Sequence, residues 1–359
     1  MISEWLLSTA RCPECRSTLD VRGGRAAGAT LKCLGCAVEY PQASADFLDL
    51  RPRERFHEQT KYLEESLHAD ARHERVSPPL LGSKIRNDML REFLDPSAAD
   101  RVVDLGCGSG RALIWNRDWG ARAVGIDIAP FFSEDARREV DLLLGDLRRL
   151  PFADEAFTRA YSLDVLEHLS PEALRGMLTE ANRVLERGGR LFVYTHVRKN
   201  AKIAVGLRWI NAMARTLERA GLIDMRQERL RKSDHLNPLR DIPELETVVA
   251  DAGFRIARIT YYTPIVGGFV ENLLMRMAER AMTRRAARRL GTNQDDGESM
   301  RAARQAARQR IQRRGPTYAA LGVLSYIMKL DVLLFGRIKS GPFFALLEKT
   351  RSVGAPVRT

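Results

Sequence analysis

The sequence predicts an α/β protein built on a doubly wound, mostly parallel sheet, and three observations carry that expectation. Short β-rich runs at 101–105, 121–126, 140–144, 156–163 and 190–196 alternate with helix-like segments, the pattern of strand, crossover and strand units. A glycine-rich turn, Gly106-Cys107-Gly108-Ser109-Gly110, follows the first run directly and leads into a helix starting near Arg111. Ser170-Pro171-Glu172 reads as an N-cap with proline at the first helical position. Gly188-Gly189 is expected to stop that helix, so that the next strand starts near Arg190. Right-handed crossovers gather ligand loops at the carboxyl ends of such strands.

At 359 residues, with 45% hydrophobic and 29% charged, the chain can bury a full core and carry a second module. Glu4 interrupts the only apolar start, so a signal peptide is not expected. The longest apolar segment, 318–335, contains Lys329 and Asp331. A charge near the bilayer centre costs roughly 3 kcal/mol or more, so this segment is not read as a membrane span. The expected location is cytoplasmic, with room for peripheral association on the inner membrane face. The formal charge is +12, and much of it lies in 276–314, with twelve arginines against four acids. Four pieces are expected: a ribbon at 1–50, a connecting helical segment at 51–97, an alternating domain at 98–263 with a lid insertion at 201–240, and an Arg-rich helical tail at 264–359 ending in a last edge strand.

Four of the five cysteines form two pairs, Cys12-Pro-Glu-Cys15 and Cys33-Leu-Gly-Cys36, separated by seventeen residues. That is the spacing of a tetrahedral four-thiolate site, and a module this small lacks the apolar area to fold without such a staple. Structural zinc on Cys12, Cys15, Cys33 and Cys36 is the expectation. Unmetallated thiols or redox chemistry remain the alternatives, and a catalytic zinc is disfavoured because four thiolates leave no open position.

The stretch Val103-Asp104-Leu105-Gly106-Cys107-Gly108-Ser109-Gly110 places glycines where backbone must approach a ligand closely. A dinucleotide fingerprint needs its third glycine at position 111, which is arginine, so NAD is the lesser alternative. Asp127 ends the second strand seventeen positions after Gly110, near the usual roughly 20-residue separation for a carboxylate that accepts from ribose hydroxyls. Asp104 adds negative charge suited to a ligand bearing cationic groups. Residues 100–263 resemble the class I S-adenosylmethionine-dependent methyltransferases of the type 11 kind, whose first motif is D-x-G-x-G-x-G. The resemblance implies a Rossmann-like, seven-stranded sheet and S-adenosyl-L-methionine bound by Asp104, Gly106, Cys107, Gly108, Gly110, Asp127, Ile128, Asp146, Leu147 and Asp164. In it Asp146 accepts from the adenine amino group, Leu147 offers a backbone amide, and Cys107 is a small filler. The first 50 residues resemble the ribbon of a small activator protein of RNA and protein methyltransferases, and more loosely that of rRNA guanine methyltransferases.

Tyr161-Ser-Leu-Asp164-Val-Leu-Glu167-His168 ends the fourth run and resembles the fourth motif of small-molecule methyltransferases. Methyl transfer is an in-line displacement, so the protein mainly aligns the acceptor, with a base needed only when the nucleophile carries a proton. Asp164, Glu167 and His168 are spaced as one helical turn, either as a divalent-metal cluster like that of some quinone methyltransferases or as structural hydrogen-bonding groups. His196 ends the fifth run, and His235 lies in an H-x-N segment that borders the substrate pocket in relatives. Asp164, His168 and His235 are the catalytic candidates. Apolar residues at helical spacing in 201–230 suggest a lid carrying specificity.

Arg276, Arg280, Arg284 and Arg288 recur every four residues, and Arg301, Arg304 and Arg308 repeat the pattern. Such stripes meet anionic lipid, RNA phosphates or only solvent. No aromatic residue falls in 276–314, so stacking platforms for single-stranded RNA are missing, and the apolar segment that follows suits a membrane surface. The expected function is methylation of a small-molecule or lipid-linked acceptor. The alternatives are an rRNA or tRNA methyltransferase that grips RNA with ribbon and tail, and a non-catalytic cofactor-binding scaffold.

Overall fold

The structure is a computed structural model describing residues 2–22, 28–53, 75–197, 238–262, 266–270, 315–339 and 341–353, with single residues at 216, 236 and 277. Of the lid insertion at 201–240, residues 201–215, 217–235 (His235 among them) and 237 lie outside the described residues, as does the Arg-rich stretch 276–314 apart from Met277.

The N-terminal module opens with α1 (Glu4–Thr9), where the Ser3 side chain accepts from the Leu6 amide at 3.0 Å. Three short strands follow, β1 (Leu19–Arg22), β2 (Thr30–Cys33) and β3 (Glu39–Pro41), forming an antiparallel sheet. The main sheet contains β4 (Leu48–Asp49), β5 (Arg101–Leu105), β6 (Arg122–Asp127), β7 (Asp141–Leu144), β8 (Phe157–Leu163), β9 (Leu185–His196), β10 (Phe254–Tyr261) and β11 (Pro342–Lys349). Their order is β10-β11-β9-β8-β5-β6-β7-β4, parallel from β4 through β9. The helices are α2 (Gly82–Leu94), α3 (Arg111–Trp115), α4 (Glu134–Glu139), α5 (Pro171–Val184), α6 (Ile242–Asp251), α7 (Val266–Phe269) and α8 (Pro316–Phe335).

Three features differ from the sequence reading. The sheet has eight strands rather than seven, because β4 of the N-terminal module pairs with β7 through Leu48↔Leu143 and Asp49↔Leu144. The Leu50 amide adds a bond to the Leu144 carbonyl at 2.8 Å, so β4 occupies the open backbone groups of that edge. Next, β11 is not an edge strand but lies antiparallel between β9 and β10. Phe343, Phe344, Ala345 and Leu347 are all fully buried, and a run buried on both faces belongs in a sheet interior. The last strand therefore completes the main sheet rather than ending a separate tail. Finally, α5 stops at Val184 and β9 begins at Leu185, passing through Gly188-Gly189. The glycines open no new element: Gly188 takes φ +73° within the strand, where a kink needs no side chain.

The N-cap at Ser170 forms as its sequence suggests, accepting from the Ala173 amide at 3.2 Å. From there α5 buries Leu174, Met177, Leu178 and Ala181 on one face. The N-terminal module shares this core: Leu6, Ala10, Leu48 and Leu50 pack in one buried cluster with Phe152 and Phe157. Charges fasten it further, with Arg16 to Glu180 at 3.1 Å and Arg149 to Glu14 at 3.2 Å.

The connecting segment contributes α2, which buries Ile85, Met89, Leu90 and Phe93 and sets Phe93 edge-on to Phe192. Helix α8 lies on α2, where the Ser325 hydroxyl accepts from the Leu81 amide at 2.7 Å and Lys329 reaches Asp88 at 3.2 Å. Asp331 accepts from the Val266 and Gly267 amides at 2.9 and 3.2 Å. By length and composition α8 could cross a membrane, yet its two charges have partners within the protein.

Candidate functional site

The glycine turn sits at the carboxyl end of β5. The Gly106 and Cys107 amides both donate to the Ile126 carbonyl, at 2.9 and 3.0 Å, tying the turn to β6. Gly106 has φ +83°, and a Cβ there would stand 2.5 Å from Val165 Cγ2. Gly108 has φ +54° and a Cβ there would meet nothing within 4 Å, so the turn presents bare backbone on that side. Its amide donates to Asp127 Oδ2 at 2.7 Å, while Oδ1 accepts from the Ala129 amide at 3.0 Å. Burial pushes the Asp127 carboxyl up, opposed by the amides of Ala129, Gly108 and Ile128. The carboxylates on either side of the glycine turn, Asp104 and Asp127, are thus placed differently. Asp127 grips the turn, whereas Asp104 is 2% exposed within the sheet. Burial pushes Asp104 well above the usual carboxylate range, the Tyr161 hydroxyl opposes that, and the charge of Asp127 adds to it.

Cys107 is buried, and burial first, then Asp104 and Asp127, push its thiol well up. A protonated, packed thiol is a filler, not a nucleophile. Asp146 is also buried, and Arg148 takes both its oxygens at 2.9 and 2.8 Å. An adenine amino group at Asp146 would have to share the carboxylate with that guanidinium. Leu147, next in the turn, is half-buried.

At the end of β8 the helical-turn spacing of Asp164, Glu167 and His168 does not hold. Asp164 takes φ +57° and a short 3-10 turn, Leu166–His168, follows. A left-handed residue before that turn sends its neighbours in different directions, at a conformational cost of about 1–2 kcal/mol. Asp164 is exposed and lies 3.6 Å from Arg86 Nε. Glu167 is buried instead, accepting from Thr195 Oγ1 at 2.9 Å with His196 Nδ1 at 3.9 Å. Burial, then the Asp164 charge, raise its carboxyl to about 7. His168 is half-buried. Among the described residues the donor atoms of these three do not converge as those of the four cysteines do. Arg86 is the site residue that the sequence reading missed. It comes from α2, lies 5.3 Å from the centre of the Tyr194 ring, and brings a cation to the reacting end. The helical spacing of Ile85, Met89 and Phe93 was the available signal that this segment packs on the sheet.

Cys12, Cys15, Cys33 and Cys36 place their Sγ atoms within 4.8 Å of one another. Cys12 to Cys36 is 3.7 Å and Cys15 to Cys33 is 3.3 Å. A tetrahedron with zinc–sulfur bonds of about 2.3 Å has edges of about 3.8 Å, so the donor set fits such an ion. The Gly35 and Cys36 amides point at Cys33 Sγ, at 3.3 and 3.4 Å, and would stabilise a thiolate there.

Residues 103–193, from β5 through β9, match the family model for a methyltransferase domain. Sterol 4-C-methyltransferase strm-1 of Caenorhabditis elegans is 27% identical over 140 residues, covering 35% of this chain and 41% of that protein. Methyltransferase GfsG of Streptomyces halstedii is 31% identical over 128 residues, covering 33% and 45%. Probable tRNA methyltransferase 9B of Mus musculus is 34% identical over 108 residues, covering 29% and 24%. The chain spans less than half the length of each of these three relatives. The match falls on the strands that bear the glycine turn, Asp127 and Asp164, and over these residues the chain is similar to a methyltransferase domain.

Proposed function

We propose that this chain transfers a methyl group from S-adenosylmethionine to a small-molecule or lipid-linked acceptor. The observation that carries the reading is the turn at Gly106 to Gly110, bare at Gly108 and braced by Asp127 from the neighbouring strand. When bound, S-adenosylmethionine supplies a methyl group on a sulfonium, which an acceptor displaces in line to leave a neutral thioether. The chain's own residues hold and align. Asp127 would trade its amide partners for the ribose hydroxyls, and the glycine turn would lie along the methionine portion. Asp164 and Arg86 offer a carboxylate and a guanidinium to the acceptor, while His168, or His235, could take its proton. Four thiolates around a structural zinc would fix the N-terminal module against α5 and β7.

The sterol 4-C-methyltransferase relative favours a small, apolar acceptor. A second reading, methylation of RNA, draws on the ribbon, on the arginines of 276–314 and on the tRNA methyltransferase relative. Methyl-labelled cofactor incubated with the purified chain and a cell extract, then fractionated into lipid, small-molecule and RNA pools, decides between them. Label in the lipid or small-molecule pool is the expected result. Label confined to RNA selects the second reading, and cofactor binding without label in any pool indicates a non-catalytic scaffold.

A further inference from the structure

Helix α8 is inverted relative to an ordinary surface helix. Its charged residues Lys329 and Asp331 find partners in α2 and α7, and Met328 and Val332 are buried. Its outward side is apolar: Val323, Tyr326, Ile327, Leu330, Leu333 and Leu334 are all exposed, Leu334 by 71%. Val323, Ile327, Leu330 and Leu334 recur at intervals of four, three and four, so they form one stripe along the helix. Contiguous apolar stripes of this kind mark an interaction surface rather than a solvated one.

We propose that this stripe docks the protein on an anionic lipid bilayer, with α8 lying in the plane of the interface. Charge complementarity selects the occupant. In sequence the helix is preceded by twelve arginines against four acids in 276–314, ending at Arg313 and Arg314. After it come Arg337 and Lys339, both exposed. Cations at both ends of an apolar stripe suit anionic headgroups around an inserted aliphatic face, and Tyr326 has the amphipathic ring favoured at that depth. Lys329 and Asp331, held by protein partners, do not have to enter the lipid. The docked helix rests on α2, which also carries Arg86 beside Asp164, so the bilayer would lie on the side of the fold that supports the reacting end. The inference rests on α8 and its flanks and does not depend on the identity of the methyl acceptor.

The test uses the full chain and phosphatidylcholine vesicles with and without phosphatidylglycerol. The protein should sediment with the phosphatidylglycerol vesicles and be released as salt rises. The variant Leu330→Gln/Leu334→Gln, altered only at exposed positions, should lose on the order of a hundredfold in vesicle partition while keeping its cofactor affinity. As a second readout, Tyr326→Trp should show added tryptophan quenching by lipids brominated on the acyl chain. No sedimentation with anionic vesicles at low salt overturns the proposal, as does the absence of quenching in Tyr326→Trp. A stable dimer in the absence of lipid that Leu330→Gln/Leu334→Gln dissociates would also overturn it, by assigning the stripe to a second copy of the chain.

Discussion

Gly106→Ala offers the sharpest test of how the cofactor turn is built. The new Cβ meets two separate costs. At φ +83° a side chain is strained by about 1–2 kcal/mol. It would also stand 2.5 and 3.1 Å from Cγ2 and Cγ1 of Val165, an overpacking that costs about 1–3 kcal/mol. Together they predict a loss of about 2–5 kcal/mol, within the roughly 5–15 kcal/mol stability of a typical domain, so the variant should still fold. Because Val165 follows Asp164 directly, pushing it aside also shifts the reacting end. Gly108→Ala is the control: it has φ +54° but its Cβ meets nothing within 4 Å, so only the strain of about 1–2 kcal/mol remains. Urea denaturation of Gly106→Ala, Val165→Ala and the double variant isolates the contact. Removing the two Val165 methyls should return about 1–3 kcal/mol of the Gly106→Ala loss as a coupling energy. Additivity within about 0.5 kcal/mol, or a Gly108→Ala loss as large as that of Gly106→Ala, would refute the steric reasoning.

Asp127→Ala should weaken S-adenosylmethionine binding at least tenfold, about 1.4 kcal/mol by calorimetry, and unchanged affinity counts against the ribose role. The carboxyl of Glu167 is raised in the fold from 4.5 to about 7, so the folded state binds its proton more tightly than the unfolded chain. Its contribution is therefore full below about pH 4.5 and is lost as the pH rises through about 7, by up to roughly 3 kcal/mol. Glu167→Gln should flatten that fall, and parallel stability curves for the two proteins would exclude it. Freshly purified protein should hold one zinc per chain. A strong chelator should remove it and lower the melting temperature, because the ribbon packs in the same core as β8; elemental analysis under reducing conditions that finds no zinc rejects the site.

The sequence by itself determined the parts whose chemistry is local. Paired C-x-x-C motifs bring four sulfurs together, the glycine turn needs positive φ at Gly106, Gly108 and Gly110, and Ser170-Pro171 starts α5. These are consequences of side-chain size, backbone freedom and short-range hydrogen bonds. What only the tertiary structure decided depends on partners far away in the chain. The hydrophobic run 342–349 reads equally as an edge or a central strand until β9 and β10 flank it. Leu48 and Asp49 become a strand only because β7 leaves its edge open. The roles of Asp164 and Glu167 separate because one left-handed residue precedes a 3-10 turn, a choice stabilised by Arg86 from α2 and Thr195 from β9. Lys329 and Asp331, which in sequence speak against a membrane span, are matched by Asp88 and the amides of α7. Long-range pairing leaves no periodic trace in the residues it joins, and for that reason the outward apolar face of α8 emerges only once the chain is folded.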